Sequence, residues 1–178
     1  MVKNWLRSVT AVFLIAAACF LFATWGCKDQ DPGEAGKTES AAIKGEDQGK
    51  NPWVVDIESI TIENSKFRVV RWTGKYLQMT LMSIKQGGEI GLERHNDVDQ
   101  FLRIEKGKAR VFMGQSKDDM SYKKEVGIHW SIFIPAGYWH NITNIGKEDL
   151  KLYSIYSPVQ HPAGTVHETF KDAEAADH

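Results

Sequence analysis

The sequence predicts an all-β domain, a barrel or sandwich of antiparallel strands. Three observations carry this. From Trp53 onward the 178-residue chain breaks into roughly ten short apolar or alternating runs, with turn residues about every 8–12 positions. Glycine is frequent, with 15 residues, and proline scarce, with 5, which suits short strands joined by tight turns. No long amphipathic stretch lies between the runs, which argues against an alternating α/β sheet.

Residues 1–27 are unlike the rest. Lys3 and Arg7 precede an apolar run from Val9 to Trp25, broken only by Thr10 and Thr24. A basic start followed by such a run is the pattern of an export signal. The run ends at Gly26-Cys27, and Lys28-Asp29-Gln30-Asp31 follows at once. A small residue before Cys at this place resembles a bacterial lipobox and implies lipidation of Cys27, although Thr24 and Trp25 depart from the usual pattern. Two alternatives stand beside it: an uncleaved anchor, for which the run is just long enough, and cleavage near Ala16-Ala17-Ala18. All three place the domain outside the cytoplasm, in the periplasm or cell envelope, and the first and second tether it to the membrane. Cys19 and Cys27 are the two cysteines, both in this segment. The remainder therefore has neither a disulfide nor a thiol nucleophile.

Residues 28–52 read as a flexible polar linker, with Ile43 the only large apolar residue before Trp53. The folded domain is expected over 53–169. Trp53-Val54-Val55 and Ile57 to Ile62 are expected to add edge strands or to pack across the barrel mouth. Strands follow at Phe67–Trp72, Tyr76–Ile84, Glu89–His95, Val98–Glu105 and Ala109–Met113. Gly114 to Lys124 reads as a polar excursion. Trp130–Ile134, Trp139–Ile142 and Leu150–Tyr156 complete the strand set. Residues 170–178 form a polar tail, with a short helix possible at Thr169 to Ala175. With 22 Lys+Arg against 23 Asp+Glu there is no basic field, which argues against a nucleic-acid partner. No GxGxxG, phosphate loop or GxSxG segment is present.

Two segments carry the chemistry. The first is Gly87-x5-Glu93-x-His95-x4-Gln100-x6-Gly107, and the second is Gly127-x7-Pro135-x-Gly137-x2-His140-x3-Asn144. Residues i and i+2 of a strand share a face, so Glu93 and His95 project together while Arg94 points away. Gln100 on the next strand and His140 after the Pro-x-Gly turn can join them. Two imidazoles, one carboxylate and one amide oxygen in a barrel suit a divalent first-row metal: Mn, Zn or Fe foremost, with Ni or Cu as further choices. The bland alternative is a buried hydrogen-bond cluster of the same four residues. His129 reads as a loop or strand-end residue. His161 and His167 lie in the Pro/Gly-rich end, where His161 can cover the mouth. Tyr153 and Tyr156 share no face of a regular strand, so at most one lines the cavity. Asp97 or Asp99 can orient a ligand imidazole, but both read better as turn residues.

These two segments resemble the paired motifs of the cupin superfamily, of the small single-domain kind sometimes labelled mannose-6-phosphate isomerase-like. The resemblance covers Gln86 to Asn144 by motif. It implies a single jelly-roll, or double-stranded β-helix, barrel with a metal held by Glu93, His95, Gln100 and His140. Glu93 stands where the motif usually has His, and Gln100 where it has Glu, so the shell keeps a single carboxylate. The implied function is an exported metal-binding protein that binds or acts on a small molecule in the barrel, as an isomerase or dioxygenase-type enzyme with Glu93 as catalytic base. The alternative is a non-catalytic ligand- or metal-binding envelope module. Fold analogy also implies a homodimer.

Overall fold

The computed structural model describes residues 47–176. The export segment, Cys27 and most of the linker lie outside these residues. Among the described residues no helix is long and apolar enough to cross a membrane.

Among the described residues, ten strands form two antiparallel sheets. One sheet has six strands: β1 (Arg68–Thr73), β2 (Gln78–Ile84), β4 (Asp99–Lys106), β7 (Ser131–Ile134), β9 (Leu150–Ser157) and β10 (Val166–His167), in the order β10-β1-β2-β9-β4-β7. The other contains β3 (Glu93–Arg94), β5 (Ala109–Gly114), β6 (Tyr122–Val126) and β8 (Trp139–Asn144), in the order β3-β8-β5-β6. Their inner faces enclose one core that includes Met82, Ile84, Leu102, Ile104, Val111, Ile132, Ile142 and Leu152. The jelly-roll expectation is met. At the hairpin from β4 to β5, Gly107 has φ +92°, and a Cβ there would stand 3.1 Å from the Leu150 Cα. Glycine answers both demands.

The barrel interior changes character along its length, and this places the site. On β9, Leu150 and Leu152 give way to Ser154 and Tyr156; on β2, Ile84 and Met82 give way to Thr80 and Gln78. On β4, Ile104 and Leu102 precede Gln100 toward the same end, and on β8 Ile142 is followed inward by His140. One end is thus an apolar plug and the other a buried polar layer.

Several expectations are corrected. Ile57–Glu63 is a helix, α1, not an edge strand. Asp56 caps it, with its carboxylate accepting from the Ser59 N–H at 3.1 Å and the Ser59 hydroxyl at 2.7 Å. With Trp53, Ile57 and Ile60, this segment covers Val69, Met79 and Leu81 on the outer face of the six-stranded sheet. Every residue of β2 is consequently buried, on both faces. Composition places 47–52 in the linker, yet the Gln48 N–H donates to the Arg71 carbonyl at 2.8 Å and Lys50 N–H to that of Thr73 at 3.1 Å. A Cβ on Gly49 would meet the Thr73 carbonyl oxygen at 2.3 Å, so this close docking requires glycine. The polar tail joins the fold, and the short helix expected there is present. Phe170–Ala176 is the helix α2, Ala173 is buried, and the Phe170 ring meets Phe67 edge-on at 5.5 Å. Within the polar excursion, β6 pairs with β5 at the edge of its sheet, where four of its five residues stay exposed. An edge strand of that kind lacks the apolar alternation of an inner one.

Candidate functional site

β3 is only two residues long, and its pairing sets the centre. Glu93 stands opposite His140 in the β3–β8 ladder. Just beyond β3, the His95 carbonyl accepts from Gly137 N–H at 2.7 Å. That fixes the strand end against the Pro135–Gly137 turn. Asp99 fastens the same turn by accepting from the Ala136 N–H at 2.9 Å. This hydrogen bond closes the turn.

Glu93, His95 and His140 each bring one ligand atom into a group whose members all lie within 4.8 Å of one another. Glu93 Oε1 is 3.2 Å from His140 Nε2 and 3.4 Å from His95 Nε2. His140 Nδ1 lies 3.1 Å from the Tyr138 carbonyl, which can only accept, so Nδ1 carries the proton and donates. In the neutral ring, Nε2 then presents a bare lone pair to a carboxylate oxygen. Two acceptors then face each other unless a proton or a metal ion lies between them. A proton on Nε2 makes the contact a hydrogen bond that favours the ionised carboxyl, and a metal ion can take that proton's place. His95 Nε2 is buried with no hydrogen bond. Two imidazoles and one carboxylate, one imidazole fixed by a backbone carbonyl, are the donor set of a divalent first-row metal.

Burial opposes ionisation of Glu93. Its contacts with His140 and His95 and the nearby Arg68 guanidinium outweigh this and hold the carboxyl below its ordinary range. Glu93 is therefore a carboxylate at neutral pH.

Gln100 shares the inner face. It stands opposite Tyr156 in the β4–β9 ladder, and the Tyr156 ring lies edge-on to His95 with centroids 5.8 Å apart. Gln100 Nε2 donates to Ser154 Oγ at 3.0 Å, which turns the amide so that Oε1 is the free end. That oxygen is buried without a partner. Of the two tyrosines, Tyr156 lines the interior and Tyr153 packs outside against Phe101. Burial pushes the Tyr156 hydroxyl up to about 12.

A cavity of about 360 Å³ opens beside the cluster, lined by Glu93, His95, His161, Gly91, Phe170 and Glu174 among others. His161 covers this mouth, as the sequence allowed. Gln78 holds it in place: its Nε2 donates to the His161 carbonyl and its Oε1 accepts from the His161 N–H, both at 2.8 Å. The ring meets Tyr156 edge-on at 5.1 Å, and its Nε2 is buried without a hydrogen bond. His129 lies apart from the centre, its Nδ1 3.0 Å from an Arg103 nitrogen.

Sequence reasoning missed Arg68. It is fully buried on β1, and its Nη2 lies 3.8 Å from Glu93 Oε2. The available signal was a charged residue inside the apolar run Phe67–Trp72, at a position that alternates with outward-facing Val69.

The sequence model of the cupin domain matches residues 80–156, from β2 to β9. The protein YrkC of Bacillus subtilis (strain 168) is 53% identical over 131 residues, which span 74% of this chain and 70% of YrkC. The crystal structure of BH2720 from Bacillus halodurans, 53% identical, covers 73% of this chain and 98% of its own with a TM-score of 0.73. The chain belongs to the cupin family. The protein L612 of Acanthamoeba polyphaga mimivirus is 43% identical over 115 residues, 64% of this chain and 70% of L612. In this cupin, Glu93, His95, Gln100 and His140 fall inside the matched stretch, while Arg68 and His161 fall outside it.

Proposed function

We propose that this cupin holds one divalent metal ion at Glu93, His95 and His140, with Gln100 Oε1 as a further oxygen donor, and that a small molecule binds beside it at the barrel mouth. The convergence of two imidazole nitrogens on one carboxylate oxygen in a buried polar layer carries this reading. A metal there supplies Lewis-acid polarisation of an oxygen on the bound molecule. The carboxylate of Glu93 offsets part of the cation charge and, held below its usual range, is better suited as ligand than as base. The Tyr138 carbonyl fixes the His140 tautomer, and Ser154 fixes the Gln100 amide. Tyr156, His161 and Phe170 restrict water at the mouth. The reading extends to an envelope location, supported by Lys3, Arg7, the apolar run to Trp25 and the Gly26-Cys27 pair as lipidation site.

Elemental mass spectrometry of the full chain and of His140→Ala, both purified without added metal, tests it. About one equivalent of Mn, Fe, Zn, Ni or Cu in the parent, lost in the variant, is the expected result. A parent that stays empty after each metal is offered would refute the metal centre and leave the cluster as a hydrogen-bond network.

A further inference from the structure

Arg68 is not one of the proposed metal donors, yet it is among the largest fully buried side chains. Its Nε and Nη1 are buried with no hydrogen-bond acceptor. The nearest carboxylate oxygen, Glu93 Oε2, is 3.8 Å from Nη2, beyond hydrogen-bond range. A face of Phe67 lies 5.7 Å from the guanidinium carbon and gives weak compensation. A buried guanidinium with unmet donors is costly. Nor does Glu93 serve as its full counter-ion: its other oxygen is shared with two imidazoles. Once a divalent cation sits among them, Glu93 divides its charge between that cation and Arg68, whose nearest carboxylate oxygen stays at 3.8 Å.

We propose that Arg68 anchors the anionic end of the bound molecule, a carboxylate, so that the natural ligand is a small carboxylic acid. This rests on the metal reading above. A guanidinium takes a carboxylate through planar, charge-assisted hydrogen bonds. The surroundings favour a carboxylate over a phosphate. The planar guanidinium fork matches the two coplanar oxygens of a carboxylate, and the Glu93 carboxylate 3.8 Å away disfavours additional negative charge at that point. The neighbouring unpartnered groups, His161 Nε2 and His95 Nε2, add polar atoms to the same layer. Arg68 lies on β1, ahead of the stretch matched to the cupin domain.

The test titrates acetate, acetamide and inorganic phosphate into the zinc-loaded full chain, and into Arg68→Lys, by calorimetry. The Arg68 Nε–H resonance is followed in parallel. Acetate should bind and shift that resonance, and acetamide and phosphate should bind more weakly. Arg68→Lys should retain its zinc and lose on the order of tenfold or more in acetate affinity, because the ammonium keeps the charge and lacks the planar fork. Equal acetate affinity in parent and variant, with zinc bound in both, overturns the anchor. So does acetamide binding as tightly as acetate, or phosphate more tightly. If Arg68→Lys does not fold, the resonance in the parent decides: a shift that saturates with acetate supports the anchor, and silence ends it. A chain that takes up no zinc refutes the metal reading instead, and the same resonance in the metal-free chain then decides for Arg68.

Discussion

Glu93 and His140 are direct partners across the β3–β8 ladder, and their side chains meet at 3.2 Å. Backbone pairing therefore imposes the distance between carboxylate and imidazole. The Glu93→Gln variant should keep the fold, since glutamine has the same shape. It should lose metal affinity by about 10–100-fold or more, the loss seen even for groups that only support a ligand. Competition with a chelating indicator measures this. Unchanged affinity would mean that Glu93 is not a ligand.

Metal that binds only the folded chain must stabilise it. At a free concentration about a hundredfold above Kd the gain is about 2.7 kcal/mol. Chemical denaturation of the full chain, with metal and then with excess chelator, should show that difference. His140→Ala should show none. A gain that survives in His140→Ala would place the bound metal elsewhere.

The strand pattern and the donor set were legible because both are local. Alternation marked β2, short apolar runs between turn signals marked β4 and β9, and the spacing Glu93-x-His95 placed two donors on one face. What could not be read depended on tertiary contact. The segment Ile57 to Ile62 is rich in β-branched residues, which read as strand. It folds as a helix because Ile57 and Ile60 are then both turned onto Val69 and Leu81. The local signal was Asp56 three residues before Ser59, a cap that only its hydrogen bonds make evident. Gln48 and Gly49 read as linker since their docking uses backbone groups, which side-chain composition does not report. Arg68 escaped notice because inward facing on β1 is set by its pairing with Met82 and His167.

Leu81 tests whether this outer layer is independent of the site. It is fully buried beneath α1, on the face of β2 opposite Thr80 and Met82. Leu81→Ala should destabilise the domain by about 2–5 kcal/mol, the usual cost of such a cavity. Its metal stoichiometry should stay that of the parent under native conditions. Denaturation and metal content together check this. Loss of metal from a still folded variant would show that the outer layer holds the centre in shape.

His161 sets a pH dependence whose sign can be worked out. Burial lowers it from its ordinary 6.5 to about 3, with further lowering by Arg68 and His95 that Glu93 only partly opposes. Above pH 6.5 the ring is neutral in both the folded and unfolded chain and contributes no slope. Below that, the unfolded chain takes up a proton that the fold refuses until about pH 3, so acidification favours unfolding across this window. His161→Phe keeps a ring against Tyr156 and cannot titrate. In chelator-treated protein, stability against pH should fall less steeply for the variant between about 6.5 and 3. The Glu93 contribution is common to both chains and largely cancels in the difference. Parallel curves would show that His161 reaches solvent and charges freely at the mouth.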